Sequence, residues 1–358
     1  MIHIGVIGYG YWGPNIVRNF GNTEGATVTL ISDRSQAALK RAQLSHPGVR
    51  TTLDDNEVIN SPEIDAIAIV TPVSTHYALA LKALNNGKHI FVEKPFTTSS
   101  RHAEELIELA DKKNLKIMVD HTFLFCGAVR KIKQLINEGV MGKLFYFDSI
   151  RINLGLLQKD SNVVWDLAPH DLSIMDYLIG LNPIAIAATG TAHINGFEDV
   201  AYVSIFYPDN LIAHISINWL SPVKIRMTMI GGQKKMLVWN DLVADEKLKI
   251  YDRGVEVETK EESYHARINY RSGDVWVPRL EQDEALKTET RYFVDCIENN
   301  LIPINDGIAG LRVVRMIETI IESLKTGGCV ICLNNTCGDR WPQAVQEGGL
   351  PSWKSMPA

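Results

Sequence analysis

The chain has 358 residues, of which 46% are hydrophobic and 22% are charged, and its formal net charge at pH 7 is -6. This length predicts about two domains, each with a core large enough to fold without disulfides or a structural metal. The acidic balance argues against nucleic acid as the main partner. No apolar run reaches the roughly 18 residues that a membrane span requires.

The residues after Met1 form an apolar, β-branched run, Ile2–Ile7, which predicts the first strand of a domain. A secretory signal peptide would instead show a basic start followed by a longer apolar stretch. We therefore expect the mature protein to begin at Met1 and to be cytoplasmic.

The first third of the chain alternates short apolar runs with helical patterns, which predicts an α/β Rossmann domain with a parallel sheet over residues 1–121. The predicted strands are Ile2–Ile7, Thr27–Ser32, Ala66–Val70, His89–Val92 and Lys116–Val119. The predicted helices are Pro14–Phe20, Ser35–Ser45, Thr75–Asn85 and Ser100–Lys113.

Longer alternating segments joined by short turns follow, and they predict an α+β domain with an open, mostly antiparallel sheet over residues 122–333. Its predicted strands are Lys143–Asn153, Ile184–Asn195, Val200–Tyr207, Leu211–Trp219, Lys224–Ile230 and Lys235–Trp239. Its predicted helices are Ala128–Asn137, Leu172–Ile179, Gln282–Asn299 and Gly307–Lys325. Residues 334–358, rich in Gly, Pro and Trp, form a C-terminal tail in this interpretation.

Five scattered cysteines are typical of reduced thiols in a cytoplasm rather than of a disulfide framework. Cys329 and Cys332 form a Cys-x-x-Cys pair inside a strand-like apolar run, and they are either a metal or redox pair or buried structural residues. Because no second Cys or His pair lies at zinc-like spacing, we favour the structural interpretation and predict no metal site.

A glycine-rich motif follows the first predicted strand and opens the next helix. It consists of Gly8, Tyr9, Gly10, Tyr11, Trp12 and Gly13. Gly8 permits a tight turn, Gly10 lets the backbone approach a pyrophosphate, and Gly13 lets the helix pack close to the strand. The helix N-terminus then offers N–H groups and partial positive charge to the phosphates.

Asp33 stands just after the second predicted strand, where a carboxylate can accept hydrogen bonds from the ribose of a dinucleotide. Its charge would repel a 2′-phosphate, which favours NAD over NADP. Arg34 is compatible with either cofactor, since its guanidinium can stack on adenine or hold that phosphate.

Two further motifs lie at the carboxyl ends of parallel strands, where open α/β sheets bind ligands. Thr71-Pro72 ends the third predicted strand, with His76 opening the next helix, and Glu93-Lys94-Pro95 ends the fourth. Pro95 keeps Lys94 extended, so that its amine can hydrogen-bond a substrate oxygen and stabilise developing alkoxide charge.

A second polar cluster, Trp165–Asp171, precedes the predicted helix Leu172–Ile179 and contains Asp166 and His170 four residues apart. A histidine with a carboxylate neighbour can take a proton from a hydroxyl near neutral pH. Alone, the pair is as consistent with a structural role as with catalysis. Together with a dinucleotide fold and Lys94, the catalytic interpretation is favoured.

These motifs together resemble the Gfo/Idh/MocA family of oxidoreductases, named after glucose-fructose oxidoreductase, inositol 2-dehydrogenase and a rhizopine catabolism protein. The resemblance spans nearly the whole chain and includes Gly87-Lys88-His89, Asp306-Gly307, Leu311 and Gly327. It implies that Lys94, Asp166 and His170 face substrate and nicotinamide. It also implies a homodimer or homotetramer built through the C-terminal sheet.

Some positions depart from the usual pattern of this family. Ala168 stands where a glycine is frequent, Ser173 stands where an aspartate is common, and a carboxylate occurs instead at Asp171. The runs Tyr11–Asn15 and Trp165–His170 are most similar to members that oxidise nucleotide-linked sugars at C3.

We therefore expect an NAD-dependent dehydrogenase acting on a carbohydrate hydroxyl. His170 would accept the hydroxyl proton directly or through Lys94, and Asp166 would orient the lysine or the substrate. Arg151 and Asn153, on the first strand of the second domain, are candidate substrate contacts. Arg151 would bind an anionic group such as a diphosphate, unless it is a solvated residue of the strand face.

Three alternatives remain open at this point. They are a dehydrogenase of inositol or free sugars, an NAD-dependent glycoside hydrolase on the same scaffold, and a dinucleotide-sensing protein without turnover. Lys94 and His170 argue against the last of these.

Overall fold

The computed structural model describes residues 1–155, 161–258 and 267–333. Its strands are β1 Ile2–Ile7, β2 Ala26–Ser32, β3 Arg50–Thr52, β4 Ala66–Ile69, β5 His89–Glu93, β6 Ile117–Asp120, β7 Leu144–Leu154, β8 Ala185–Thr191, β9 Val200–Phe206, β10 Ile212–Asn218, β11 Leu220–Gly232, β12 Met236–Asn240, β13 Leu248–Glu258, β14 Arg267–Trp276 and β15 Ile331–Cys332. Its helices are α1 Gly13–Gly21, α2 Gln36–Ser45, α3 Asp55–Asn60, α4 His76–Asn85, α5 Ser100–Lys113, α6 Gly127–Asn137, α7 Val163–Ile179, α8 Ala285–Glu298 and α9 Gly307–Lys325. No helix in these ranges is both long and apolar enough to cross a membrane. The predicted tail, 334–358, lies outside the described residues.

Contacts divide the chain into two compact units. The first is Met1–Arg130 with Glu281–Arg315, and the second is Lys131–Leu280 with residues from Met316 onward. The structure differs here from the predicted domains 1–121 and 122–333, because it returns α8 to the first unit. Phe293 of α8 packs edge-on against Phe20 and Phe91, with ring centroids 6.0 and 5.6 Å apart.

The first unit contains a parallel sheet in the order β3-β2-β1-β4-β5-β6, which confirms the predicted Rossmann sheet. Its central strands are apolar runs buried on both faces, as parallel strands between helix layers must be. The strand order reverses between β1 and β4, and ligands bind such sheets at the carboxyl edge beside this reversal. The edge strand β3, Arg50-Thr51-Thr52, was not predicted because its three polar residues carry no apolar periodicity.

The second unit contains a mixed sheet in the order β14-β13-β12-β11-β7-β10-β9-β8-β15. Only β7 and β10 pair in parallel among these described strands, so the predicted open, mostly antiparallel sheet is confirmed. Strands β13 and β14 were missed, since a register shift between Tyr251 and Arg253 interrupts their alternation.

Helix α7 packs against β7, β9 and β10, and it is longer than predicted. It begins at Val163 rather than Leu172, because the side chain of Asn162 caps it by accepting from Trp165 N at 3.2 Å. Pro169 lies inside the helix and is buried. A proline in such a position removes one helical hydrogen bond, which is why the pattern predicted a later start.

The cysteines only partly match their prediction. Cys126, Cys296 and Cys329 are free thiols, whereas Cys332 is part of a disulfide, so reduced thiols are the wrong prediction at Cys332. Cys329 and Cys332 are half-buried rather than fully buried.

Candidate functional site

The glycine-rich loop between β1 and α1 has the geometry that a bound pyrophosphate needs. Gly8 has φ +102°, and a Cβ there would lie 2.3 Å from the carbonyl oxygen of Val70. A Cβ at Gly13 would lie 2.6 Å from the carbonyl oxygen of Gly8, whereas a Cβ at Gly10 would meet nothing within 4 Å. The loop is therefore closed toward the sheet and open over Gly10, where a phosphate can approach the backbone.

Asp33 is fixed by the same loop. Its Oδ2 accepts from Tyr9 N at 2.6 Å and its Oδ1 accepts from Ser35 N at 2.7 Å. Each carboxylate oxygen retains a further acceptor position, so the residue fits a ribose hydroxyl. Arg34 is exposed. Arg41 of α2, whose guanidinium donates to Tyr9 O at 3.4 Å, was not predicted from the sequence because no motif marks that position.

The three aromatic residues of the loop have different surroundings. The side chain of Tyr9 is 1% exposed within the hydrophobic core, so only its backbone is available to a cofactor. Tyr11 is 92% exposed. Trp12 precedes α1, and its indole N–H donates to Asp120 Oδ2 at 3.1 Å.

His76 joins the two strand-end motifs from inside the unit. The imidazole is 1% exposed, with Nδ1 2.9 Å from Pro95 O and Nε2 2.8 Å from Thr71 O. Burial lowers the pKa of this imidazole. Each ring nitrogen thus lies within hydrogen-bond distance of a backbone carbonyl that follows β4 or β5, and the neutral ring donates to one of the two, depending on its tautomer. We therefore remove His76 from the proposed cofactor contacts and assign it to holding the loops of Thr71-Pro72 and Lys94-Pro95.

Lys94 follows β5 at the carboxyl edge of the parallel sheet, the edge that also carries the glycine-rich loop. Its side chain is half-buried, and its backbone N–H donates to Glu93 Oε2 at 3.1 Å. Burial, reinforced by the neighbouring carboxyl of Asp120, raises the pKa of Glu93 well above its usual range. The raised pKa favours the neutral acid form of Glu93, whose Oε2 supports the backbone of Lys94.

Asp120 ends β6 and His121 follows it beside this motif, and neither residue was predicted from the sequence. His121 is 1% exposed, and neither ring nitrogen has a hydrogen-bond partner among the described residues. Burial lowers its pKa to about 4, against the attraction of the Asp120 carboxylate. The imidazole is therefore neutral at pH 7. The strand-end position that marked Lys94 marks these two residues as well, so the signal was available.

The second unit carries Asp166 and His170 on α7, where a spacing of four places them on one side of the helix. Both are half-buried, whereas Ala168, Pro169 and Asp171 between and beside them are buried. The predicted pair therefore lies in the first half of α7, with Asp166 in its first turn, on the more accessible side of the helix.

Trp219, placed between β10 and β11, holds Asp166. Its indole N–H donates to Asp166 Oδ2 at 3.1 Å, and the ring is 1% exposed. A Cβ at Gly155 would lie 3.0 Å from the Trp219 ring and 3.1 Å from Asn153 Nδ2. The predicted substrate contact Asn153 thus lies near the tryptophan that positions Asp166.

Arg151 forms a buried ion pair and is not solvated. Its Nε donates to Asp171 Oδ2 at 2.6 Å, its Nη2 donates to Asp171 Oδ1 at 3.3 Å, and the two side chains are 6% and 2% exposed. Ser149 Oγ donates to the same carboxylate at 2.6 Å. This geometry does not favour an anionic substrate at Arg151, so we leave Arg151 out of the proposed site. The carboxylate of Asp171, on the buried side of α7, is taken up by this pair with Arg151.

Two family models match the chain. The first, described as the Gfo/Idh/MocA oxidoreductase family with an NAD-binding Rossmann fold, matches residues 2–121. The second, the Gfo/Idh/MocA C-terminal domain, matches residues 129–238.

Individual relatives are about a quarter identical to this chain. UDP-N-acetylglucosamine 3-dehydrogenase of Acidithiobacillus ferrooxidans is 26% identical over 329 residues, covering 87% of this chain and 95% of that protein. Its crystal structure superposes with a TM-score of 0.76 at 24% identity, covering 91% of this chain and 99% of that one. The NAD-dependent scyllo-inositol 2-dehydrogenase of Bacillus subtilis is 26% identical, covering 66% and 72%. An uncharacterised oxidoreductase of Streptococcus pneumoniae is also 26% identical, but the match spans only 61% of its length and 60% of this chain.

Proposed function

The chain belongs to the Gfo/Idh/MocA family of oxidoreductases, and from this premise we propose that it is an NAD-dependent dehydrogenase of a carbohydrate hydroxyl. The observation that carries the proposal is the position of Lys94, whose amine-bearing side chain follows β5 at the sheet edge of the glycine-rich loop. A cofactor held by that loop and an amine at the same edge are what oxidation of an alcohol requires.

The cofactor contacts we propose are the backbone of Gly8–Gly13 for the pyrophosphate, Asp33 for the ribose, and Thr71, Pro72 and Lys94 along the strand ends; Glu93, whose carboxyl is turned to Lys94 N and the buried interior, is left out. When bound, the nicotinamide supplies hydride acceptance from the carbon that carries the hydroxyl. Asp33 favours NAD over NADP, because a 2′-phosphate would bring like charge to a carboxylate already fixed by two backbone N–H groups.

For the chemistry we propose that Lys94 and His170 act on one substrate hydroxyl. Lys94 donates a hydrogen bond to the oxygen, where it stabilises the charge that develops. His170 accepts the hydroxyl proton directly or through Lys94. Asp166, held by Trp219, orients the lysine or the substrate.

The substrate class we propose is a nucleotide-linked sugar oxidised at C3. Support comes from the relative named UDP-N-acetylglucosamine 3-dehydrogenase, whose match extends over 95% of its length. The inositol dehydrogenase relative supports a second candidate, a free cyclitol or sugar.

An absorbance assay of NADH formation tests both candidates, with NAD or NADP and a panel of nucleotide-linked sugars, free sugars and inositols. We expect the UDP-N-acetylhexosamines with NAD to give the highest rate. Conversion of a sugar without net NADH would instead support the redox-neutral hydrolase.

The matched variants are Lys94→Ala and Lys82→Ala, the second on the exposed face of α4. Loss of Lys94 should lower turnover roughly a hundredfold to ten-thousandfold while NADH still binds. Loss of Lys82 should change neither quantity. Near wild-type turnover of Lys94→Ala would remove the catalytic proposal.

We also propose that the protein is a homodimer or homotetramer through the sheet face of the second unit opposite α7. Alternate residues of β7 point there, including half-buried Ile150 and Ile152, and Tyr202 and Ile212 are 48% and 40% exposed. Light scattering of wild type and Ile150→Lys, with a monomer expected only for the variant, tests this assembly. A monomeric wild type would contradict it.

A further inference from the structure

Three carboxyl groups come together in the first unit from three separate elements. Glu93 ends β5, Asp120 ends β6 as its register partner, and Glu289 lies on α8. Asp120 is 2% exposed and Glu289 is 0% exposed, and the neighbouring Asp120 carboxyl raises the pKa of both glutamates, as their burial does. Neighbouring carboxylates in a low-dielectric interior repel one another strongly, which disfavours the state in which all three are ionised.

One carboxyl oxygen of each glutamate lacks a hydrogen-bond donor in the described part of the chain, and this indicates which oxygens carry a proton. Glu93 Oε1 and Glu289 Oε2 are buried, and neither contacts a hydrogen-bond donor among the described residues. The opposite oxygens are satisfied, since Glu93 Oε2 accepts from Lys94 N and Glu289 Oε1 accepts from Asn305 Nδ2 at 2.8 Å. A proton on each glutamate converts an orphaned acceptor into a donor toward Asp120. Burial raises the pKa of both glutamates, in agreement with this assignment.

Asp120 has the right number of acceptor positions for this arrangement. Its Oδ2 accepts from Trp12 Nε1 at 3.1 Å, and its Oδ1 accepts from Thr122 Oγ1. An ionised carboxylate has about four acceptor positions, so two remain for the O–H groups of Glu93 and Glu289. Four donors on one carboxylate satisfy the whole group.

We infer that Glu93 and Glu289 are carboxylic acids that both donate to an ionised Asp120, and that Asp120 is thereby a positioning residue for the glycine-rich loop and for Lys94. Trp12 connects the carboxylate to the loop, and Glu93 connects it to the backbone of Lys94. The other titratable groups acting on the cluster are the Lys94 amine and His121. This arrangement deepens the proposed function. It rests on the proposed function only for the ligands of the two loops, which are the dinucleotide at the glycine-rich loop and the substrate hydroxyl at Lys94.

Infrared spectroscopy of the protein without cofactor tests the protonation. At pH 7 we expect the carbonyl-stretching band of protonated carboxylic acids in the wild type. Glu289→Gln should lose a large part of this band, whereas Glu298→Gln, which removes an exposed carboxylate 45% accessible on the same helix, should leave it unchanged. Absence of the band from the wild type at pH 7 overturns the inference without any variant having to fold.

Calorimetric titration with NADH tests the positioning role by a double-mutant cycle. Trp12→Phe removes the indole donor, and Asp120→Asn removes one acceptor oxygen and the charge. Each should weaken NADH binding on the order of tenfold, since a hydrogen bond to a buried charge is lost.

The double variant should bind about as weakly as Asp120→Asn alone, because both changes remove the same bond. Fully multiplied effects would overturn the positioning role, since two independent structural losses multiply. Neither measurement uses a sugar substrate, so failure of the proposed dehydrogenase activity is seen separately.

Discussion

The two units hold their candidate site residues in different ways. In the first unit the residues come from loops at strand ends, and backbone groups fix them, as Tyr9 N fixes Asp33 and two carbonyls fix His76. In the second unit Asp166 and His170 lie on a helix, and buried side chains hold the helix and Asp166 in place.

This difference shows how far each site depends on the identity of other side chains. The groups that fix Asp33 and His76 belong to the backbone, so they remain in place when neighbouring side chains are substituted. The helix face depends on side chains outside the helix, namely Arg151 of β7 and Trp219 between β10 and β11. The second site should therefore be the more sensitive to substitutions outside its own motif.

Arg151→Ala is the strongest test of that sensitivity. It leaves the Asp171 carboxylate buried without its cation, which should lower the free energy of unfolding of the protein by about 3–5 kcal/mol. Urea unfolding measures the change, and Lys249→Ala, which removes an exposed ion pair in the same unit, is the control and should have no measurable effect. An Arg151→Ala protein as stable as wild type would contradict the contrast.

In the first unit, the buried imidazole of His121 should make the free energy of unfolding depend on pH. Its folded pKa of about 4 lies below the ordinary 6.5, so stability from the neutral ring is present above pH 6.5 and is lost as pH falls toward 4. The loss amounts to at most about 3 kcal/mol. His121→Gln should flatten the decline of unfolding free energy between pH 6.5 and pH 4.5. An identical slope in both proteins would refute the buried neutral imidazole.

Asp33→Asn tests whether the local, backbone-fixed carboxylate selects the cofactor. Removing the charge should raise the ratio of NADPH affinity to NADH affinity about tenfold to a hundredfold, as loss of one close like charge allows. Calorimetry with both cofactors measures the ratio. Glu57→Gln on the exposed face of α3 is the control, and an unchanged ratio in Asp33→Asn would remove the selectivity argument.

Trp219→Phe carries the smallest expected effect. It keeps the aromatic packing and removes the N–H that holds Asp166, which should lower kcat/KM roughly tenfold. Trp239→Phe is a matched control, because the indole N–H of Trp239 is buried without a partner among the described residues. Equal kinetics for both variants would show that Trp219 does not support Asp166.

The same contrast explains what could be predicted from the sequence. The Rossmann strands and the glycine-rich loop follow local rules, so β1 and α5 were predicted to the residue. Arg151 illustrates the opposite case, since nothing in the local pattern indicates that Asp171 lies against it.

Position along the chain also limited the prediction of the carboxyl cluster. Asp120 follows a predicted strand and could have been found by the rule that marked Lys94. Glu289 could not, because its helical pattern gives no sign that α8 packs within the first unit. Pro169 made the predicted start of α7 too late for a different reason. The buried helix tolerates the loss of the one hydrogen bond that proline removes.

The central proposal, that Lys94 and His170 act on the same hydroxyl, is tested most directly by steady-state kinetics of Lys94→Ala, His170→Asn and the double variant on the substrate found in the NADH screen. Groups that act as a unit give strongly non-additive losses. We predict that the double variant turns over about as slowly as the slower single variant. Losses that multiply in full would contradict the proposal, because the two groups would then be contributing independently.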